Sequence, residues 1–145
     1  MHFILILLSG LAATSLMTAF SYLMANLKKS QFREPELLNT LLTRARSISL
    51  EIPKNHPTGW VIHYSIGCFF VLIFHLLWRY TELPISLWSG AGLGFVAGIF
   101  GIGGWIVFFK TNSNPPKIEF KDFYIQLLVA HVIFGLTAAG VYLLW

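Results

Sequence analysis

The sequence predicts an all-α integral membrane protein: a four-helix bundle made of two parallel two-helix hairpin repeats, with one interfacial amphipathic helix. Three observations predict it. Only 11% of the 145 residues are charged, less than half the roughly 25% of soluble domains. Four long stretches contain no Asp, Glu, Lys or Arg. The second and fourth of these stretches share a histidine pattern.

The spans are expected at Phe3–Leu27, Thr58–Trp78, Ile85–Phe109 and Phe123–Trp145. Each has about 20 residues or more, enough at roughly 1.5 Å per residue to cross a hydrocarbon core of ~30 Å. Helices are required because every backbone polar group must be satisfied within the segment. In the first span only His2 precedes the apolar run, while Lys28 and Lys29 follow it. That charge order suits a retained helix with its N-terminus outside rather than a cleaved signal peptide. Lys28, Lys29, Arg33, Arg44, Arg46 and Lys54 lie between the first two spans, and Lys110, Lys117 and Lys121 lie around the last connection. Of the 10 basic residues only Arg79 falls on the other side. The rule that basic loops stay inside predicts a multi-pass membrane protein with its basic loops in the cytoplasm and both termini outside. The net charge of +4 is therefore a topology signal. Its partners are the bilayer and anionic inner-leaflet lipids, not nucleic acid.

Between the first two spans, Leu37, Leu38, Leu41, Leu42, Ala45 and Ile48 recur at helical spacing after Pro35. An amphipathic helix over Glu36–Leu50, lying on the inner leaflet, is expected; a partner-docking helix is the rival reading. Small residues at four-residue intervals provide helix contacts: Gly10, Thr14 and Thr18 in the first span, and Gly90, Gly94 and Gly98 in the third. These faces are expected to meet within one chain, with a homodimer through Gly90–Gly98 as the competitor.

The repeat singles out the chemistry. His63 is followed by Gly67 and then Leu76-Leu77-Trp78; His131 is followed by Gly135 and then Leu143-Leu144-Trp145. Glu51 and Glu119 each stand 12 residues before the respective histidine. Two equivalent histidines on facing helices are what a bis-histidine haem b needs, with Gly67 and Gly135 leaving room for the macrocycle and electron transfer as the role. The same pair could hold another metal, with His56 as a further candidate ligand. Each histidine could instead donate one interhelical hydrogen bond, or serve a proton or small-solute pathway. No span carries a carboxylate, and no cysteine pair, phosphate loop or nucleophile motif is present. The sequence therefore leans away from an enzyme. A membrane protein that binds lipid or stabilises a partner complex is the alternative. The lone Cys68 reads as a packed thiol.

Residues 61–80 (VIHYSIGCFFVLIFHLLWRY), the entry LPISLWSGAGLGFVAGIFG, the Pro115-Pro116 loop and FYIQLLVAHVIFGLTAAGVY make the chain resemble YagU-like and related small bacterial inner-membrane proteins. The resemblance covers about residues 57–145, with a looser match in GLAATSLMTAFSYLM. It implies a bacterial inner-membrane setting, with acid stress linked to some relatives, and no defined reaction. Members can carry a further histidine in the third helix. Here that region is Gly103-Gly104-Trp105, so no third histidine ligand is implied there.

Overall fold

A computed structural model describes residues 2–45 and 51–145. The described chain is helical: α1 His2–Lys28, α2 Glu34–Thr43, α3 Pro57–Tyr80, α4 Leu87–Thr111 and α5 Phe120–Leu144. All but α2 are long and apolar enough to cross a membrane. Large apolar side chains such as Leu16, Leu23, Phe69, Val96 and Phe100 point outward, as a lipid solvent allows.

Local chemistry sets the helix ends. Pro57 occupies the first turn of α3, and His56 caps it. Ser86 and Ser89 form a reciprocal capping box that starts α4 at Leu87, two residues later than expected. α5 begins at Phe120, three residues early, so Lys121 and Asp122 fall in its first turn. α1 ends where Lys29 takes a left-handed φ of 52°. The Ser30 N–H then reaches back to the Ala25 carbonyl at 3.2 Å, a Schellman-type closure with lysine where glycine is usual.

The order of packing is α3–α1–α5–α4, with α2 against the start of α3. Small residues decide these seams. A Cβ added at Gly135 would meet the Gly90 carbonyl oxygen at 2.0 Å and the Gly94 Cα at 2.8 Å. One added at Gly94 would meet the His131 carbonyl oxygen at 2.2 Å. The Gly90–Gly98 face is thus covered by α5 of the same chain and leaves no such seam for a second copy. The Gly10, Thr14 and Thr18 face meets α3 instead. Gly10 abuts Cys68, and Thr14 abuts Gly67. Thr18 bonds His63 at 2.9 Å. Ser9 Oγ donates to the Ala138 carbonyl oxygen, joining α1 to α5. The axis implied by the hairpin repeat would match the α1–α5 contact with one between α3 and α4. In the fold those two helices are not packed along their length; they are joined near their turn, where Trp78 Nε1 donates to Ser89 Oγ at 3.1 Å.

The amphipathic helix is present but ends at Thr43 rather than Leu50; residues 46–50 of the expected helix lie outside the described residues. Its apolar face is turned onto the bundle. Leu37, Leu38 and Leu41 are buried in a cluster with Phe32, Trp105, Phe123 and Leu127, so neither lipid nor a partner covers them. The Asn39 amide donates to the carbonyls of Lys54 and His56 at 2.8 and 2.7 Å, tying α2 to the start of α3. Gly59 permits the approach, since a Cβ there would meet the Pro35 carbonyl oxygen at 2.1 Å. Every described lysine and arginine except Arg79 lies at this end of the bundle.

Because the α4–α5 seam has no room, Gly135→Ala is expected to destabilise the protein by about 1–3 kcal/mol. Gly140→Ala, where an added Cβ meets nothing within 4 Å, is expected to be neutral or to gain up to about 1 kcal/mol. Thermal denaturation in detergent measures both.

Candidate functional site

The core is divided. One apolar cluster, around Ala13, Val71, Phe74 and Phe134, fills the end away from α2. The second, around Phe32, Leu37, Trp105 and Phe123, fills the basic end. Between them lies a cavity of about 210 Å³. α3 and α4 form its sides, α1 and α5 its back, and α2 its basic end. Its rim includes Ile66 on α3 and Phe100, Gly104 and Phe108 on α4, all exposed on the bundle surface. That surface lies within the spans, so the mouth opens sideways into the hydrocarbon.

Both predicted histidines reach this cavity, and each is only 7% exposed. Their hydrogen bonds fix which nitrogen is bare. A hydroxyl has one proton to give. Thr18 donates its proton to the Thr14 carbonyl oxygen at 2.6 Å, so its oxygen must accept the 2.9 Å bond from His63 Nε2. His63 therefore carries its proton on Nε2 and a lone pair on Nδ1. His131 Nδ1 sits 2.8 Å from the Leu127 carbonyl oxygen, which can only accept. His131 thus has its lone pair on Nε2, close to Gly101 on α4, where an added Cβ would stand 3.0 Å from that nitrogen. Neither bare nitrogen has a partner among the described residues. The edge of Phe70 approaches the His131 ring, with centroids 6.4 Å apart.

The third polar group is one that sequence reasoning missed. Glu34, the first residue of α2, is 1% exposed and lines the cavity. Ser21 donates to its Oε1 at 2.7 Å, and the Gln126 amide donates to Ser21 at 2.6 Å. Glu34 Oε2 has no partner, and neither does the hydroxyl oxygen of Thr14, also on the cavity wall. Burial pushes the Glu34 carboxyl up from 4.5 to about 7. Hydrogen bonds from Ser21, its own backbone and Gln126 pull the other way. In the sequence, Glu34 is a loop carboxylate before a proline. Its one local signal is that position at the start of an amphipathic run.

Other candidates fall elsewhere. His56 is exposed, and its Nδ1 accepts from the Thr58 N–H as the helix cap, so it does not join the pair. His75 lies toward the opposite end, 3.0 Å from the Tyr142 hydroxyl. Gly67 and Gly135 serve packing. The first admits Thr14, and the second admits the α4 backbone, so neither leaves a slot for a macrocycle. The cavity is also smaller than the ~300 Å³ at which cofactor pockets begin. The residues therefore do not fit a haem in this arrangement. Among the described residues no group of three or more His, Cys, Asp or Glu is arranged to hold a metal ion. No protein-family profile, curated protein or solved structure matches this chain.

The sign of the Glu34 effect follows from its raised value. The folded protein holds this proton more tightly than the unfolded chain, so stability falls as pH rises from about 4.5 through about 7. The full loss is on the order of 3 kcal/mol. Glu34→Gln is expected to flatten this slope and leave the protein more stable than the parent at pH 8. Thermal melts in detergent between pH 5 and 8 read it directly.

Proposed function

We propose that this chain is a non-enzymatic membrane protein that binds one small lipid-soluble molecule, admitted sideways from the bilayer. One observation carries the reading. Four residues that each keep a polar atom without a partner, Thr14, Glu34, His63 and His131, line a single cavity with otherwise apolar walls. Buried polar groups are normally paired, and a few convergent polar groups in an apolar pocket are the pattern of a ligand site. The four come from four different helices, so helix packing alone gives no reason for them to meet. The lateral mouth supports a ligand dissolved in the membrane over one from water.

We also place the α2 end in the cytoplasm of a bacterial cell, with both described ends of the chain periplasmic. The support is the crowding of lysine and arginine at that end and the resemblance to YagU-like inner-membrane proteins. Anionic lipids of the inner leaflet then surround α2.

Protein extracted from native membranes is expected to retain about one lipophilic molecule per chain, identified by mass spectrometry of a solvent extract. Gly104→Trp fills the mouth without meeting a packed neighbour at its Cβ and is expected to cut retention at least about tenfold, the loss of a site closed to its ligand. A parent protein that carries nothing and takes up no apolar probe would end this reading.

A further inference from the structure

The cavity's chemistry narrows what it can hold; this step rests on the proposed ligand site. The volume of about 210 Å³ suits a single ring, since a dry cavity of roughly 150 Å³ already accepts benzene. The walls are aromatic, with Phe70, Trp105 and Phe134 among them, and flat rings pack well against such walls. No lysine or arginine lines the cavity, which leaves a phosphate or carboxylate head without a counter-charge. A cationic head would find one counter-charge, Glu34, whose carboxyl burial keeps protonated up to about pH 7.

The two histidines set the hydrogen-bond sense. His63 Nδ1 and His131 Nε2 both present lone pairs, because their other nitrogens spend their protons on Thr18 and Leu127. They belong to α3 and α5, two different helices of the cavity wall. Two acceptors on separate helices suit a ring with two hydroxyl donors. The apolar mouth between α3 and α4 gives a tail its route into the bilayer.

We infer that the occupant is a membrane-soluble hydroquinone, a ring with two hydroxyl groups and an apolar tail, held in its reduced form by His63 and His131. The oxidised quinone presents two carbonyl oxygens, which can only accept. Its carbonyls can turn to donors on Thr14 or Glu34, but both imidazole lone pairs then stay unpartnered. Binding therefore favours the reduced form. The inference concerns binding, and no electron-transfer step is part of it.

The test uses the full chain in nanodiscs under anaerobic conditions. A short-tailed alkyl hydroquinone, its oxidised quinone and a plain alkylbenzene are titrated separately, with intrinsic tryptophan fluorescence and equilibrium dialysis as readouts. The hydroquinone is expected to bind about 10- to 100-fold more tightly than the quinone, the discrimination lost when buried acceptors go unpaired. Each tenfold raises the two-electron potential of the bound couple by about 30 mV. His63→Phe and His131→Phe are each expected to shrink the preference about tenfold while alkylbenzene binding persists. Equal or reversed affinity for the two redox forms, with the alkylbenzene still bound, overturns the hydroquinone inference and leaves the ligand site standing. A preference unchanged in both histidine variants overturns it as well. Failure of the alkylbenzene to bind at all overturns the ligand site with it.

Discussion

Helices in lipid gain little from burying apolar surface against one another, so close backbone approach is what holds them. In this protein the decisive approach is that of Gly94 and Gly135, where α4 and α5 touch main chain to main chain. That contact fixes α4 on the far side of α5. On the other flank, Gly10 and Gly67 let α1 and α3 close in the same way. With the four spans committed to the order α3–α1–α5–α4, the outer two are left facing each other without a seam. The space between them is the cavity. Thus the glycines that bring helices together also leave a space between the outer two.

The basic end closes this space by a different device. α2 is too short to cross a membrane, and it places a carboxylate where no span carries one. Its hold depends on Asn39, on Gly59 and on the leucines that join the Phe32 cluster. Glu34 therefore enters the bundle through the packing of a connecting segment. A carboxyl titrating near neutrality thus shares the cavity wall with two bare imidazoles. This arrangement puts the least settled groups of the fold where an occupant could satisfy them.

The spans were legible because a run without charges has few alternatives, and their ends moved by only a few residues. Those shifts trace to caps such as Ser86 and to charged residues that a helix can carry in its first turn, as at Lys121. His63 and His131 were legible through the repeat, and the fold does bring them to one cavity. The meaning of their neighbouring glycines was not legible. A glycine one turn from a histidine reads equally as space for a ligand and as room for a helix, and only the position of Thr14 or Gly90 decides between them. Glu34 was hidden for a related reason. Its importance comes from Ser21, Gln126 and the buried face of α2, contacts between elements that no local pattern encodes. The length of α2 was overestimated because apolar spacing continues past the residue where the helix stops.

For a ligand site of the proposed kind, the sideways mouth changes what concentration means. A molecule arriving between Ile66 and Phe100 comes from a two-dimensional solvent, so occupancy follows its mole fraction among the lipids rather than its level in water. Sparingly soluble compounds that partition strongly into membranes would fill the site at trace aqueous abundance. Polar analogues of equal intrinsic fit would leave it empty. On the proposed reading the bilayer acts as a first filter, and selection begins before any side chain makes contact.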